Sequence, residues 1–273
     1  MMYALAVPIL LLASVRTLAF PAPAQAQQLP FPAVAPTSPP EQIAGYNPVH
    51  VALGVMSRCP DATLCEAVWD RVLEERLPAS PSNGFGGART TGELVQLELV
   101  FLAHENASAP YGATCMHGEP ECRGNVQQLC AAHYWGEHES EGDEGLRVSV
   151  KGRMAWQDWW NFVQCMNYDD RSRVGSEAAA KRCALIAGRE WNDDLKGCVE
   201  GRQGRELLRA SIRRAKRLGV QKSCTVLIEE EQVCIHDGTW KACPGGHEVR
   251  DFAREVREAW LALNPALDGG SRL

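Results

Sequence analysis

The stretch "VHVALGVMSRCPDATLCEAVWDRVL", Val49 to Leu73, sets the reading of the whole chain. It opens with an apolar run of strand length, and after Pro60 the residues Cys65, Trp69 and Val72 repeat at helical spacing. Proline suits the first position of a helix, where its missing N–H would be unpaired anyway. The pattern predicts a strand, "VHVALGVM", then a helix over 60–77, with Cys59 at the junction. Unpaired N–H groups at a helix start stabilise a thiolate, so a redox nucleophile belongs at such a place. Three residues on, where a dithiol enzyme carries its second cysteine, stands Ala62. Cys65 lies six residues along the helix, a rise of about 9 Å, whereas a disulfide needs Cα atoms within about 7 Å. It is expected to be buried or paired with some cysteine other than Cys59.

Working outward, a glycine-rich loop, "SNGFGGARTTG", leads to a second strand, "ELVQLELVFL". Residues 119–218 read as mostly helical, through "ECRGNVQQLCAAHYW", "GRMAWQDWWNFVQCM", 176–187 and 203–218, interrupted by a solvated acidic loop, "GEHESEGDEG". The strand period returns in "CTVLIEE" and "QVCIHDGTW", with Asp237-Gly238 as a turn. In the last helix Val249, Phe252, Ala253, Val256, Trp260 and Leu263 share one face. A parallel βαβ start, a late hairpin and a closing helix predict an α/β, thioredoxin-like fold with a large helical insertion, rich in disulfides.

The chain has 273 residues, 45% of them hydrophobic, enough for one large domain or two small ones. A net charge of −6 argues against nucleic acid or an anionic membrane as partner. Eleven cysteines favour an oxidising compartment. Tyr3 to Ala13 is an apolar run of signal-peptide length, and Ala24 and Ala26 suit cleavage before Gln27. The rival, an uncleaved anchor, has Pro8 and the short apolar length against it. Asn106-Ala107-Ser108 is a glycosylation acceptor. The expected organisation is a signal peptide over 1–26, a Pro-rich disordered linker over 27–47, one domain over 48–264 with its insertion at about 119–218, and a tail over 265–273. The expected destination is secretion, with no membrane attachment after cleavage; the oligomeric state stays open.

The most specific motif is "CMHGEPECRGNVQQLC", Cys115 to Cys130. It resembles the signature of the gamma-interferon-inducible lysosomal thiol reductase family, C-Q-H-G-x-x-E-C-x-x-N-x-x-x-x-C. Seven of its eight fixed positions match: Cys115, His117, Gly118, Glu121, Cys122, Asn125 and Cys130, with Met116 in place of glutamine. The resemblance extends over roughly residues 49–263, and Cys165, Cys183 and Cys198 look like the family's spacing. "CPDA" in place of C-x-x-C looks like a fungal-type variant. The resemblance implies a secreted or endo-lysosomal protein that reduces protein disulfides, often at acidic pH, with the signature cysteines in structural bridges. It implies no organic cofactor.

With that resemblance, Cys59 is the expected nucleophile, exposed at the helix mouth, helped by Arg58 and opposed by Asp61. Thioredoxin-like folds usually set a cis-proline before their third strand, beside the active cysteine. Aligning "KSCTVLIE" puts Cys224 there, and a Cys59–Cys224 disulfide is the expectation, as a displaced redox pair or a permanent lock. The other resolving thiol would be a small external one such as glutathione, acting with disulfide-containing protein substrates. An odd cysteine count leaves at least one thiol free or intermolecular. Cys234 and Cys243 flank a turn and are expected to bridge it.

Plainer readings stand beside these. Cys59 could serve only in a structural bridge. His117 is read as a buried loop-fixing histidine rather than a base, since an ionised thiol needs none. Cys115, His117 and Cys122, with His104 and His133 nearby, do not have zinc-finger spacing, and no metal is expected. Arg205, Arg209, Arg213, Lys216 and Arg217 read as a solvated helix face, and Trp156, Trp159 and Trp160 as core of the insertion. The rival from another class is a non-catalytic secreted binding or effector module.

Overall fold

Val49–Val55 forms β1, and every residue of it except His50 is buried. Such a run without alternation is what a strand covered on both faces requires. In the computed structural model, which describes residues 47–77, 89–136 and 156–265, the cover comes from helices on either side. The expected signal peptide, all of the linker but Asn47, all of the acidic loop but Gly136, most of the glycine-rich loop and all but the first residue of the tail lie outside these residues.

From β1 the chain enters α1 (Pro60–Glu74) and then β2 (Arg76–Leu77), which pairs with β3 (Arg89–Thr90). The first helix therefore stops short of residue 77, because Arg76 and Leu77 are taken into this ribbon. After a 3-10 turn at Thr91–Leu94, β4 (Val95–Phe101) runs parallel to β1, Val49 opposite Val95 and Val55 opposite Phe101. A second ribbon joins β5 (His104–Glu105) to β6 (Ala113–Thr114).

Five helices follow: α2 (Glu119–Trp135), α3 (Gln157–Tyr168), α4 (Glu177–Ile186), α5 (Asp193–Glu200) and α6 (Arg202–Arg217). The sheet resumes with β7 (Thr225–Ile228), β8 (Glu231–Asp237) and β9 (Thr239–Lys241), and α7 (Val249–Leu263) closes the fold. The sheet order is β4-β1-β7-β8-β9, with β7 antiparallel to β1 and the hairpin antiparallel after it. A parallel βαβ unit, a crossover and an antiparallel ββα unit make this a thioredoxin-like α/β fold.

Side-chain parity explains the two layers. Val49, Val51, Leu53 and Val55 join the core with Trp69 of α1 and Phe252, Val256 and Trp260 of α7. The rings of Trp69 and Phe252 lie 5.3 Å apart. The other face carries small residues, Ala52 and Gly54, and there α6 packs through Ala215, with Val220 just beyond it. A Cβ on Gly54 would collide with Val220, so this glycine is set by close approach. Ser211 of α6 accepts a hydrogen bond from the Phe101 amide at 2.9 Å. The last helix of the 119–218 block is thus the crossover on the sheet, while α2–α5 form the separate helical layer.

That layer is held by bridges between Cys130 and Cys198, from α2 to α5, and between Cys165 and Cys183, from α3 to α4. Trp159 and Trp160 are buried in it, and the Trp160 indole donates to Asp70 of α1 at 2.9 Å. The short α5 has a clear local cause: Asn192 caps it, accepting from the Leu195 amide at 3.1 Å, and Asp193 and Asp194 sit in its first turn. On α6, Arg209, Arg213 and Lys216 all face Glu105, at 3.8, 3.3 and 3.8 Å. Among the described residues no helix is long and apolar enough to cross a membrane.

Candidate functional site

Cys59 is the N-cap of α1, with extended backbone (φ −78°, ψ 128°) and Pro60 starting the helix. Its amide donates to the Met56 carbonyl at 2.9 Å, and its own carbonyl accepts from the Thr63 amide at 3.2 Å. Among the described residues it is the only free cysteine. The expected exposure is not found: Cys59 is 5% exposed. The segment before β7 passes over it, and the thiol donates to the Ser223 carbonyl at 3.7 Å. The Ser223–Cys224 peptide is cis, at the position aligned above with the family's proline. Ser223 also accepts from the Met56 amide through its hydroxyl, at 3.1 Å, tying this segment to the end of β1.

The expected Cys59–Cys224 disulfide is also absent. Cys224 is joined to Cys65, with Cα atoms 6.2 Å apart, and both are fully buried. The reason is directional. At 224 the chain offers its preceding carbonyl to Cys59, while its side chain reaches α1 further along, at Cys65. Ala62, also buried, fills the position of the missing second cysteine. The site therefore holds three sulfurs: one free thiol at the helix start and one bridge beneath it.

Both flanking charges have partners elsewhere. The Arg58 guanidinium donates to the carbonyls of Val174, at 2.8 and 3.1 Å, and of Ser172, which ties it to the α3–α4 connection. Asp61 accepts from the Gly238 amide at 2.8 Å and faces His236 Nδ1 at 2.7 Å. His236 is almost buried, beside Trp240 at 4.9 Å between ring centroids, and exchanges two backbone hydrogen bonds with Cys224. Asp61, His236 and Cys224 thus lock α1 to the hairpin.

The signature residues gather behind the loop before Cys59. Asn125 accepts from the Ser57 amide at 3.0 Å, and the Ser57 hydroxyl donates to the Glu121 carbonyl at 3.1 Å. Asn125 Nδ2 also lies 3.7 Å from Cys115 Sγ, and Cys115 is bridged to Cys122. Glu121, fully buried, accepts from the His117 amide at 3.2 Å and pairs with His117 Nδ1. His117 therefore fixes the loop, but from the surface rather than from within. Gly118, at φ +82°, makes the turn into α2. Bridged sulfurs at 115 and 122 leave no thiolates there for a metal. Cys234 and Cys243 are bridged across the β8–β9 hairpin. Asn106 is exposed, its side chain held by the Ser108 amide and by Thr114.

Sequence reasoning missed Ser57, Gly124, Ser223 and His236. A Cβ on Gly124 would meet the Ser57 hydroxyl at 2.6 Å and Val174 at 2.6 Å, so α2 can approach the loop only with glycine there. That glycine precedes Asn125 inside the motif, which was the available signal. Asn125→Ala is expected to lower stability by about 1–3 kcal/mol, because the buried Ser57 amide loses its acceptor; urea denaturation measures it.

Also unanticipated is Glu66 on the buried face of α1, 2% exposed. Burial pushes its carboxyl up to about 8, against the opposing hydrogen bond from Asn167, whose Nδ2 lies 2.7 Å from Oε2. Two surface hollows, one lined by Glu75, Glu248, Val249 and Arg250 and the other by residues including Tyr168 and Arg182, do not include Cys59.

The family described as gamma interferon inducible lysosomal thiol reductase (GILT) matches residues 50–186. No curated protein matches. Solved structures with similarity include a thioredoxin-like oxidoreductase from Silicibacter pomeroyi DSS-3, at 14% identity and a TM-score of 0.43, covering 77% of this chain and 86% of that one. Another is MdbA, a thiol-disulfide oxidoreductase from Corynebacterium diphtheriae, at 12% identity and a TM-score of 0.45, covering 78% and 85%. Wolbachia pipientis alpha-DsbA1 is similar at 10% identity and a TM-score of 0.44, covering 81% and 89%.

Proposed function

The chain belongs to the gamma interferon inducible lysosomal thiol reductase family, and from that premise we propose that it reduces disulfides of protein substrates through Cys59. The observation that carries this reading is the position of the one free thiol among the described residues, at the start of α1 and against the Ser223 carbonyl before β7. A helix N-terminus favours the thiolate. The thiolate attacks one sulfur of the substrate disulfide, forming a mixed disulfide with Cys59 and releasing the other sulfur as a thiolate. A second thiol then displaces the substrate from Cys59. The working place is an oxidising lumen, secreted or endo-lysosomal, reached after removal of residues 1–26, with Asn106 as glycan acceptor. Five bridges among the described residues support that compartment. No metal or organic cofactor takes part in the exchange.

The rival, a non-catalytic binding or effector module, is favoured by a specific observation. Cys59 is nearly covered, and Cys224 is already tied to Cys65. Alkylation of the native, unreduced protein with a small reagent at acidic pH separates the two. The enzyme reading expects label on Cys59 within minutes. Absence of label there, even after mild reductant, supports the module.

A further inference from the structure

The family's pattern supplies two thiols one helical turn apart, whereas here the second position is Ala62 and a third sulfur sits deeper. Cys59 contacts the Ser223 carbonyl at 3.7 Å, and the very next residue, Cys224, carries one half of a bridge whose other half is Cys65. Cys65 lies on the same helix as Cys59. Both bridged residues are 0% exposed, so no outside thiol meets them directly, while Cys59 keeps 5% of its surface. Among the described residues Cys59 is the only free thiol, and its sulfur rests against the carbonyl that immediately precedes Cys224, so it is the one cysteine of the protein placed to exchange with this bridge.

We infer that the Cys65–Cys224 bridge is redox-active and that Cys59 is its port to the outside. This rests on the thiol–disulfide exchange proposed above, and it assigns the missing resolving function to Cys224 with Cys65 as the final acceptor. The cycle balances as follows. In the reduced protein all three are thiols. Cys59 thiolate attacks the substrate disulfide, forming a mixed disulfide and releasing the first substrate thiolate. Cys224 thiolate attacks Cys59 Sγ, releasing the second substrate thiolate and leaving a transient Cys59–Cys224 bond. Cys65 thiolate then attacks Cys224 Sγ, which frees Cys59 and closes the Cys65–Cys224 bridge. Two substrate sulfurs have been reduced, Cys65 and Cys224 have been oxidised, and their two protons have gone to the substrate thiolates. The arrangement in the structure is the oxidised end of this cycle. Resetting it takes two monothiols or one dithiol from outside, entering by the reverse path through Cys59.

The transient bond differs from the resting Cys59–Cys224 disulfide that the structure excludes. Passing the oxidised state inward has a clear effect: it returns Cys59, the least covered of the three sulfurs, to the thiol form, so no mixed disulfide persists on it.

The test is native-state reduction of the full-length protein. Wild type and Cys59→Ser are incubated with dithiothreitol below the concentration that unfolds either. Aliquots are acid-quenched, alkylated and mapped peptide by peptide. Serine is a favoured N-cap residue, so the variant keeps α1, and unchanged Cys115–Cys122 and Cys130–Cys198 bridges report an intact fold. The expected result is that Cys65 and Cys224 become labelled at least about tenfold faster in wild type than in Cys59→Ser. Equal rates in the two proteins overturn the relay, and so does a bridge that opens in neither. In parallel, wild type whose Cys65–Cys224 bridge has been opened in this way is freed of dithiothreitol and mixed with a disulfide-linked peptide. If Cys59 is captured as a lasting mixed disulfide while Cys65 and Cys224 stay thiols, the relay falls and the proposed function stands. If Cys59 is never captured, both fall.

Discussion

Cys59→Ser is expected to reduce turnover of a protein disulfide to the uncatalysed background, a loss of at least about a hundredfold. A serine hydroxyl carries almost no alkoxide near neutral pH, and a helix N-terminus cannot make up that difference as it can for a thiol. The effect is chemical, since serine caps the helix at least as well as cysteine does. Insulin reduction, followed with glutathione or dithiothreitol as the external thiol, measures it. If the variant keeps more than half of the wild-type rate, Cys59 is not the nucleophile. If wild type itself is at background, the binding-module reading takes its place.

The second large effect concerns Glu66. Its carboxyl titrates near 8 in the folded chain, against 4.5 as the ordinary value. Below pH 4.5 the group is protonated in both the folded and unfolded chain, and it costs nothing. Between 4.5 and 8 the unfolded chain releases the proton while the folded chain keeps it, so stability falls as pH rises, by about 1.4 kcal/mol per unit. The accumulated penalty by pH 8 is on the order of 5 kcal/mol. Glu66→Gln keeps an oxygen to accept from Asn167 and removes the titration. The variant is therefore expected to match wild type within about 1 kcal/mol at pH 4.5 and to exceed it by several kcal/mol at pH 8. Urea denaturation of both proteins at the two pH values checks this, and parallel pH profiles would refute it.

Much of the fold could be read from periodicity. The strand at Val49–Val55 and the helix at Val249–Leu263 follow from residues whose burial is decided locally, by an unbroken apolar run and by one apolar face. The end of α1 could not, because Arg76 and Leu77 are claimed by β3, a partner more than ten residues away in sequence. The short α5 escaped for want of apolar repeats, although Asn192 and the acids after it marked its start.

At the site, residue types were easier to recognise than directions. The motif from Cys115 to Cys130 pointed to the family, but its spacing carries no sign that Asn125 grips the Ser57 amide. Nor does one dimension say which way a side chain leaves the segment before β7. Aligning Cys224 with the family's proline placed its backbone beside Cys59, whereas the sulfur leaves toward the second turn of α1. Glu66 was readable in principle: it shares a helical face with Trp69 and Leu73, so an acid there had to be buried.

The bridges of the structure also decide how the molecule would behave toward proteases. Cys65–Cys224 and Cys130–Cys198 both join the part of the chain before Gly136 to the part after Trp156. A single backbone cut between those two residues therefore yields two polypeptides that stay covalently linked. Such a nicked form would run as one species without reductant and as two with it, with strands β1 and β7 still contributed by opposite fragments to one sheet.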